Sequence, residues 1–94
     1  MIKSLSSHQH LAITAAMALH FQTTPLGTNT IGEAIGRLLR EVREHLKNPL
    51  ITTKQIMTVI EDWVWRGWAV VTKKYVQLTE AGKSQMAVIA AATV

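Results

Sequence analysis

With no cysteine among its 94 residues, the four histidines are the transition-metal ligands of this chain that call for consideration first. His8 and His10 form a His-x-His pair inside a stretch with helical spacing. Residues two apart on a helix do not share a face, so the pair is not expected to chelate. His20 lies elsewhere on the same stretch. His45 falls at the end of the next one, where an imidazole is favoured by the helix dipole. The lack of cysteine also removes any thiol nucleophile or disulfide framework, which fits a reducing compartment. No nucleophile-elbow glycines, phosphate loop, His-Glu-x-x-His motif or carboxylate pair in a catalytic setting is present, so neither catalysis nor a cofactor nor a metal is expected. Trp63, Trp65 and Trp68 crowd into six residues of a chain that is only 5% aromatic. A stacking platform for single strands would interleave such rings with several cations, and here only Arg66 is adjacent. Core and subunit packing is the simpler expectation, with Trp65, out of line with the apolar spacing, as a candidate contact anchor.

The length allows one domain, residues 1–94, and a hydrophobic content of 48% with two prolines and five glycines fits a compact, mostly helical globule. Ten Lys and Arg against six Asp and Glu give a net charge of +4, which is compatible with a polyanionic partner. The charge is spread along the chain, and no segment is a basic tail. The Ala-rich opening is interrupted by His8, His10 and His20 and is followed by no cleavage signal, so it reads as a structural helix. No apolar run is long enough to span a membrane. A cytoplasmic protein without membrane contact is expected.

These residues must be positioned by a few elements. Ser6 and Gln9 make a capping box ahead of Leu11, Ala12, Ala15, Ala16 and Leu19, predicting a first helix over Ser7 to Gln22. Thr23 to Thr30, with Pro25 and Gly27, reads as a loop. Thr30 and Glu33 make a second capping box before Ile31, Ala34, Ile35, Leu38, Leu39, Val42 and Leu46, predicting a second helix. Its other face carries Glu33, Arg37 and Glu41 in i, i+4 order, with Arg40 and Glu44 beside them, a solvated and internally neutralised surface. Gly32 and Gly36 would let another backbone pack closely, and Asn48-Pro49 ends the helix. Thr52 or Thr53 caps a third helix whose Ile56, Val59, Ile60 and Trp63 face the core, and Gly67 closes it. Trp68 to Leu78 reads as two short strands joined at Lys73 and Lys74. Thr79 caps a last helix whose tail, from Met86 onward, is apolar on nearly every side.

The segment from Thr53 through Trp63, then Arg66-Gly67-Trp68 and the hairpin, then Tyr75-Val76-Gln77-Leu78-Thr79-Glu80-Ala81-Gly82 resembles the winged-helix family of bacterial and phage regulators over residues 52–86. In that family a helix closing on a glycine leads into a β-wing whose second strand ends in a Leu-Thr-x-x-Gly turn, matched here by Leu78 to Gly82. The resemblance implies a mainly α fold with a small β-hairpin: three helices, a two-stranded wing and a C-terminal helix. It also implies that the third helix enters the major groove of double-stranded DNA. Thr53, Lys54, Gln55 and Thr58 would then be DNA-binding residues. Lys54 would meet a phosphate or guanine, Gln55 an adenine, and the two hydroxyls either phosphate or base. Lys73 and Lys74 at the wing would grip flanking backbone or minor groove. Glu61 and Asp62 oppose phosphate unless they lie beyond the groove. Transcriptional regulation is the implied role, and a winged-helix module that binds protein through the same surface is the alternative. A homodimer through the first and last helices is expected, since their small residues allow close packing and a partner would bury surplus apolar surface.

Overall fold

A computed structural model of the chain describes residues 6–23 and 32–93. The described residues form α1 (Ser7–Thr23), β1 (Glu33–Ala34), α2 (Ile35–Leu46), α3 (Thr53–Trp65), β2 (Ala69–Thr72), β3 (Tyr75–Leu78) and α4 (Glu80–Thr93). The four helices accompany a three-stranded antiparallel sheet of order β1-β3-β2, which α2, α3 and α4 contact while α1 packs on the other helices.

α1 starts where the capping box placed it: the Gln9 N–H donates to Ser6 Oγ at 3.1 Å and the Ser6 N–H to Gln9 Oε1 at 3.4 Å. Its buried side, including Ile13, Met17 and Phe21, meets α2 and α4. α3 is held at both ends. Thr52 accepts from the Gln55 N–H while the Gln55 side chain accepts from the Thr52 N–H, a complete capping box. At the other end Gly67, at φ +80°, donates to Val64 O and Trp68 donates to Trp63 O, the paired bonds of a Schellman closure. Between these caps Ile56, Val59, Ile60 and Trp63 are fully buried, as their spacing required. Phe21 and Trp63 pack as tilted rings with centroids 6.2 Å apart.

The start of α2 corrects the sequence expectation. Thr30 lies outside the described residues, and Glu33 is not the third residue of a helix but a strand residue paired with Val76, with Ala34 paired to Tyr75. α2 begins at Ile35, whose N–H donates to Lys74 O at 2.9 Å. Gly32 explains the break: its φ is +92°, and a Cβ there would sit 2.5 Å from Val76 O, so only glycine lets the chain lie against β3. β3 therefore gains a second partner, and the expected two-stranded hairpin is part of a three-stranded sheet. Glu33 is buried, not solvated. Its Oε2 meets His20 Nε2 at 2.8 Å, its Oε1 accepts the Ala34 N–H at 3.2 Å, and Arg37 Nε stands 3.9 Å away. Gly36, by contrast, has nothing near its missing Cβ, so no backbone approaches it.

The hairpin, the exit of α3 and the start of α4 meet at one backbone junction. The Thr79 N–H donates to Trp68 O at 2.9 Å, and its hydroxyl donates to Gly67 O at 2.6 Å while accepting the Gly82 N–H at 3.0 Å. A Cβ on Gly82 would lie 1.8 Å from Trp68 O, so the Leu78-Thr79-Glu80-Ala81-Gly82 turn uses glycine for a close approach. The apolar tail of α4 is partly accounted for within the chain: Met86 and Ala90 are buried beside α1, while Val88 remains 62% exposed. No helix among the described residues is long and apolar enough to cross a membrane.

Candidate nucleic-acid interface

The buried stripe of α3 defines its opposite side. Lys54, Thr58, Glu61 and Trp65 recur at i, i+4, i+7 and i+11 and so share the face turned away from Ile56, Val59, Ile60 and Trp63. Lys54, Glu61 and Trp65 are exposed, with Trp65 at 84%, and Thr58 is half-buried. Among the described residues neither Lys54 nor Glu61 has an ion-pair partner. Thr53 is exposed one position before Lys54 and off the centre of this face.

The other expected contact residues have prior engagements. Gln55 Oε1 accepts the Thr52 N–H at 3.0 Å as part of the cap, so reading an adenine with both amide atoms would require leaving it. The Thr58 hydroxyl donates to Lys54 O at 2.9 Å and keeps only its acceptor side for a ligand. Lys73 and Lys74 are both exposed at the two-residue turn of the hairpin. Lys73 holds the left-handed φ of 55° that the tight turn demands, and the Lys74 carbonyl ties that turn to the start of α2. The structure thus gathers Thr53, Lys54 and Thr58 on one helix and sets Lys73 and Lys74 on a separate projection.

The acids are distributed unevenly. Asp62 is turned to the side of α3, where Arg66 Nε binds it at 2.9 Å and His10 Nε2 lies 3.7 Å away. Glu80 faces Lys83 and Glu33 is buried with His20. Glu61 alone of the two acids late in α3 stands on the same line as Lys54. This placement is readable from the spacing of 54 and 61, although adjacency in sequence makes Glu61 and Asp62 look like a pair.

The tryptophan cluster separates by depth. Trp63 is in the core, Trp68 is half-buried with the Arg66 guanidinium 5.2 Å from its ring centre, and Trp65 lies outside. Two open concavities of about 300 and 250 Å³ flank the sheet and the start of α3. Among the described residues, Lys83 is the only ionisable side chain that lines either. Among the described residues no three His, Asp or Glu side chains converge as a metal site would require. Comparison with protein-family models, curated proteins and solved structures finds no match to this chain.

Proposed function

We propose that this chain is a winged-helix protein that binds double-stranded DNA and acts as a transcriptional regulator, with the first turns of α3 in the major groove and the β2–β3 turn on the backbone. The order helix, strand, helix, helix, hairpin, helix supports the family reading, as do the glycine closures at Gly67 and Gly82. The observation that carries the function is the presence, on two exposed elements, of lysines with no ion-pair partner among the described residues: Lys54 on the outward face of α3, and Lys73 and Lys74 at the hairpin tip. Cations free of internal partners lose no ion pair when they meet phosphate, and each such contact releases counterions.

The test is fluorescence anisotropy of a labelled random duplex across a salt series. Each phosphate contact contributes about 0.9 to the log–log salt slope, so replacing Lys54, Lys73 and Lys74 with alanine should flatten it by roughly 2 to 3. A triple variant that binds duplex with the parent's affinity and slope refutes the reading. The exposed Trp65 indole beside Glu61 favours a second reading, a protein-binding module on the same face. That reading predicts a partner whose binding survives the triple substitution.

A further inference from the structure

The outward face of α3 is self-complementary. Take two copies of α3 side by side and antiparallel, related by a two-fold axis midway between Met57 and Thr58. Lys54 of one copy then falls opposite Glu61 of the other, and the symmetry makes the same pair twice. Seven residues separate Lys54 from Glu61, about 10 Å along the helix, so both pairs form in a single register. That register also sets Trp65, the last residue of α3, beside the segment leading into the other copy's α3, where Leu50 is exposed. Trp65 and Leu50 are the two most exposed large hydrophobics among the described residues, at 84% and 82%. The charges that must meet are the two on this face without partners among the described residues. Asp62 and Arg66, which would interfere, already hold each other at 2.9 Å.

We propose that a second copy of this chain docks on the outward face of α3, through reciprocal Lys54–Glu61 pairs flanked by Trp65. This goes beyond the DNA reading and does not rest on it. It also relocates the homodimer that composition suggested. α1 and α4 pack on one another within the chain, whereas α3 keeps a face whose charges and large apolar group match their own image. Two thirteen-residue helices make a small contact, below about 1,200 Å², the size class of transient association. Pairing and DNA binding would compete, since both cover Lys54.

Sedimentation velocity over a concentration series extending to hundreds of micromolar tests this, with circular dichroism to show that each variant is folded. The side chains changed are exposed, so folding should be unaffected. Lys54→Glu and Glu61→Lys should each weaken the dimer roughly thirtyfold, because each converts two attractive pairs into two repulsive ones. The double variant Lys54→Glu/Glu61→Lys should return to within about threefold of the parent, because the pairs are restored with their signs exchanged. Trp65→Ala should also weaken association by thirtyfold or so. A parent that stays monomeric throughout overturns the proposal, as does a dimer indifferent to the single reversals or a double variant that does not recover. None of these readings uses DNA. Addition of duplex to the parent dimer reports separately on competition, so failure of the DNA reading and failure of the pairing are told apart.

Discussion

Gly82→Ala should destabilise the protein severely, although alanine is the better helix former and the position lies in the first turn of α4. The added Cβ would stand 1.8 Å from Trp68 O. The two backbones would have to part by roughly 1 Å or more to reach ordinary contact. The same carbonyl accepts from Thr79, whose hydroxyl also bridges Gly67 and Gly82. Separation therefore threatens three hydrogen bonds, each worth about 1 kcal/mol net. Overpacking adds about 1 to 3 kcal/mol, and helix propensity returns about 1 kcal/mol. The expected net loss is about 3 to 5 kcal/mol, a fall in Tm on the order of 15 to 35 °C for a domain of this size. Gly36→Ala is the matched control: Gly36 is helical and exposed with nothing near its missing Cβ, so the same change should stabilise by about 0.5 kcal/mol. Urea and thermal unfolding followed by circular dichroism would measure both. If Gly82→Ala matches the parent in midpoint, the junction is not the constraint described above.

Two further substitutions test the parts that the sequence concealed. Glu33→Ala removes the carboxylate that joins His20, the Ala34 N–H and Arg37, and should lower stability by about 2 to 4 kcal/mol in urea denaturation. A loss under about 0.5 kcal/mol would return Glu33 to an ordinary surface role. Lys73→Gly should raise the unfolding free energy by up to about 1 kcal/mol, read as a higher urea midpoint, because Lys73 holds a left-handed φ that glycine adopts without a Cβ penalty. A lowered midpoint would show that the turn does not carry that strain.

What was legible in the sequence is what local chemistry decides alone. A threonine cap at 52 or 53, the Gly67 closure, the Ile56-Val59-Ile60-Trp63 stripe and the Thr79 cap were read from spacing, and each is present, with Thr52 as the capping residue and Gln55 as its unforeseen partner. β1 was not legible. Glu33 and Ala34 fit a helix start, but the pairing of β3 with a second strand overrides that preference, and two residues are too few to show alternation. Gly32 carried the signal in its type but not its cause, since the atom it must avoid belongs to Val76, far along the chain. Gly32 and Gly36 looked alike in sequence and differ entirely in surroundings. The burial of Glu33 escaped for a similar reason: its partner His20 lies on a helix whose approach only the tertiary fold sets. Of the expected DNA-binding residues, Thr53, Lys54, Lys73 and Lys74 are exposed, while Gln55 and Thr58 spend hydrogen-bonding capacity on α3 itself.

The circumference of α3 therefore divides by use. One side is core, and the flanks hold the helix in place through Gln55 at its start and the Asp62–Arg66 pair near its end. The remaining stripe of Lys54, Glu61 and Trp65 makes no ion pair or hydrogen bond through its side chains among the described residues, so the fold does not dictate those residue types. Glu61 is where the possible occupants of that stripe make opposite demands. A carboxylate only accepts hydrogen bonds, and in the major groove only cytosine N4 and adenine N6 offer donors. Against DNA, then, Glu61 restricts the sequence or repels the phosphates. Against a second copy it is neutralised by Lys54 in the one register that also matches Trp65 to Leu50. Glu61→Lys, one half of the charge exchange, should accordingly strengthen binding to random duplex while weakening self-association. A change of both in the same direction is incompatible with a shared face.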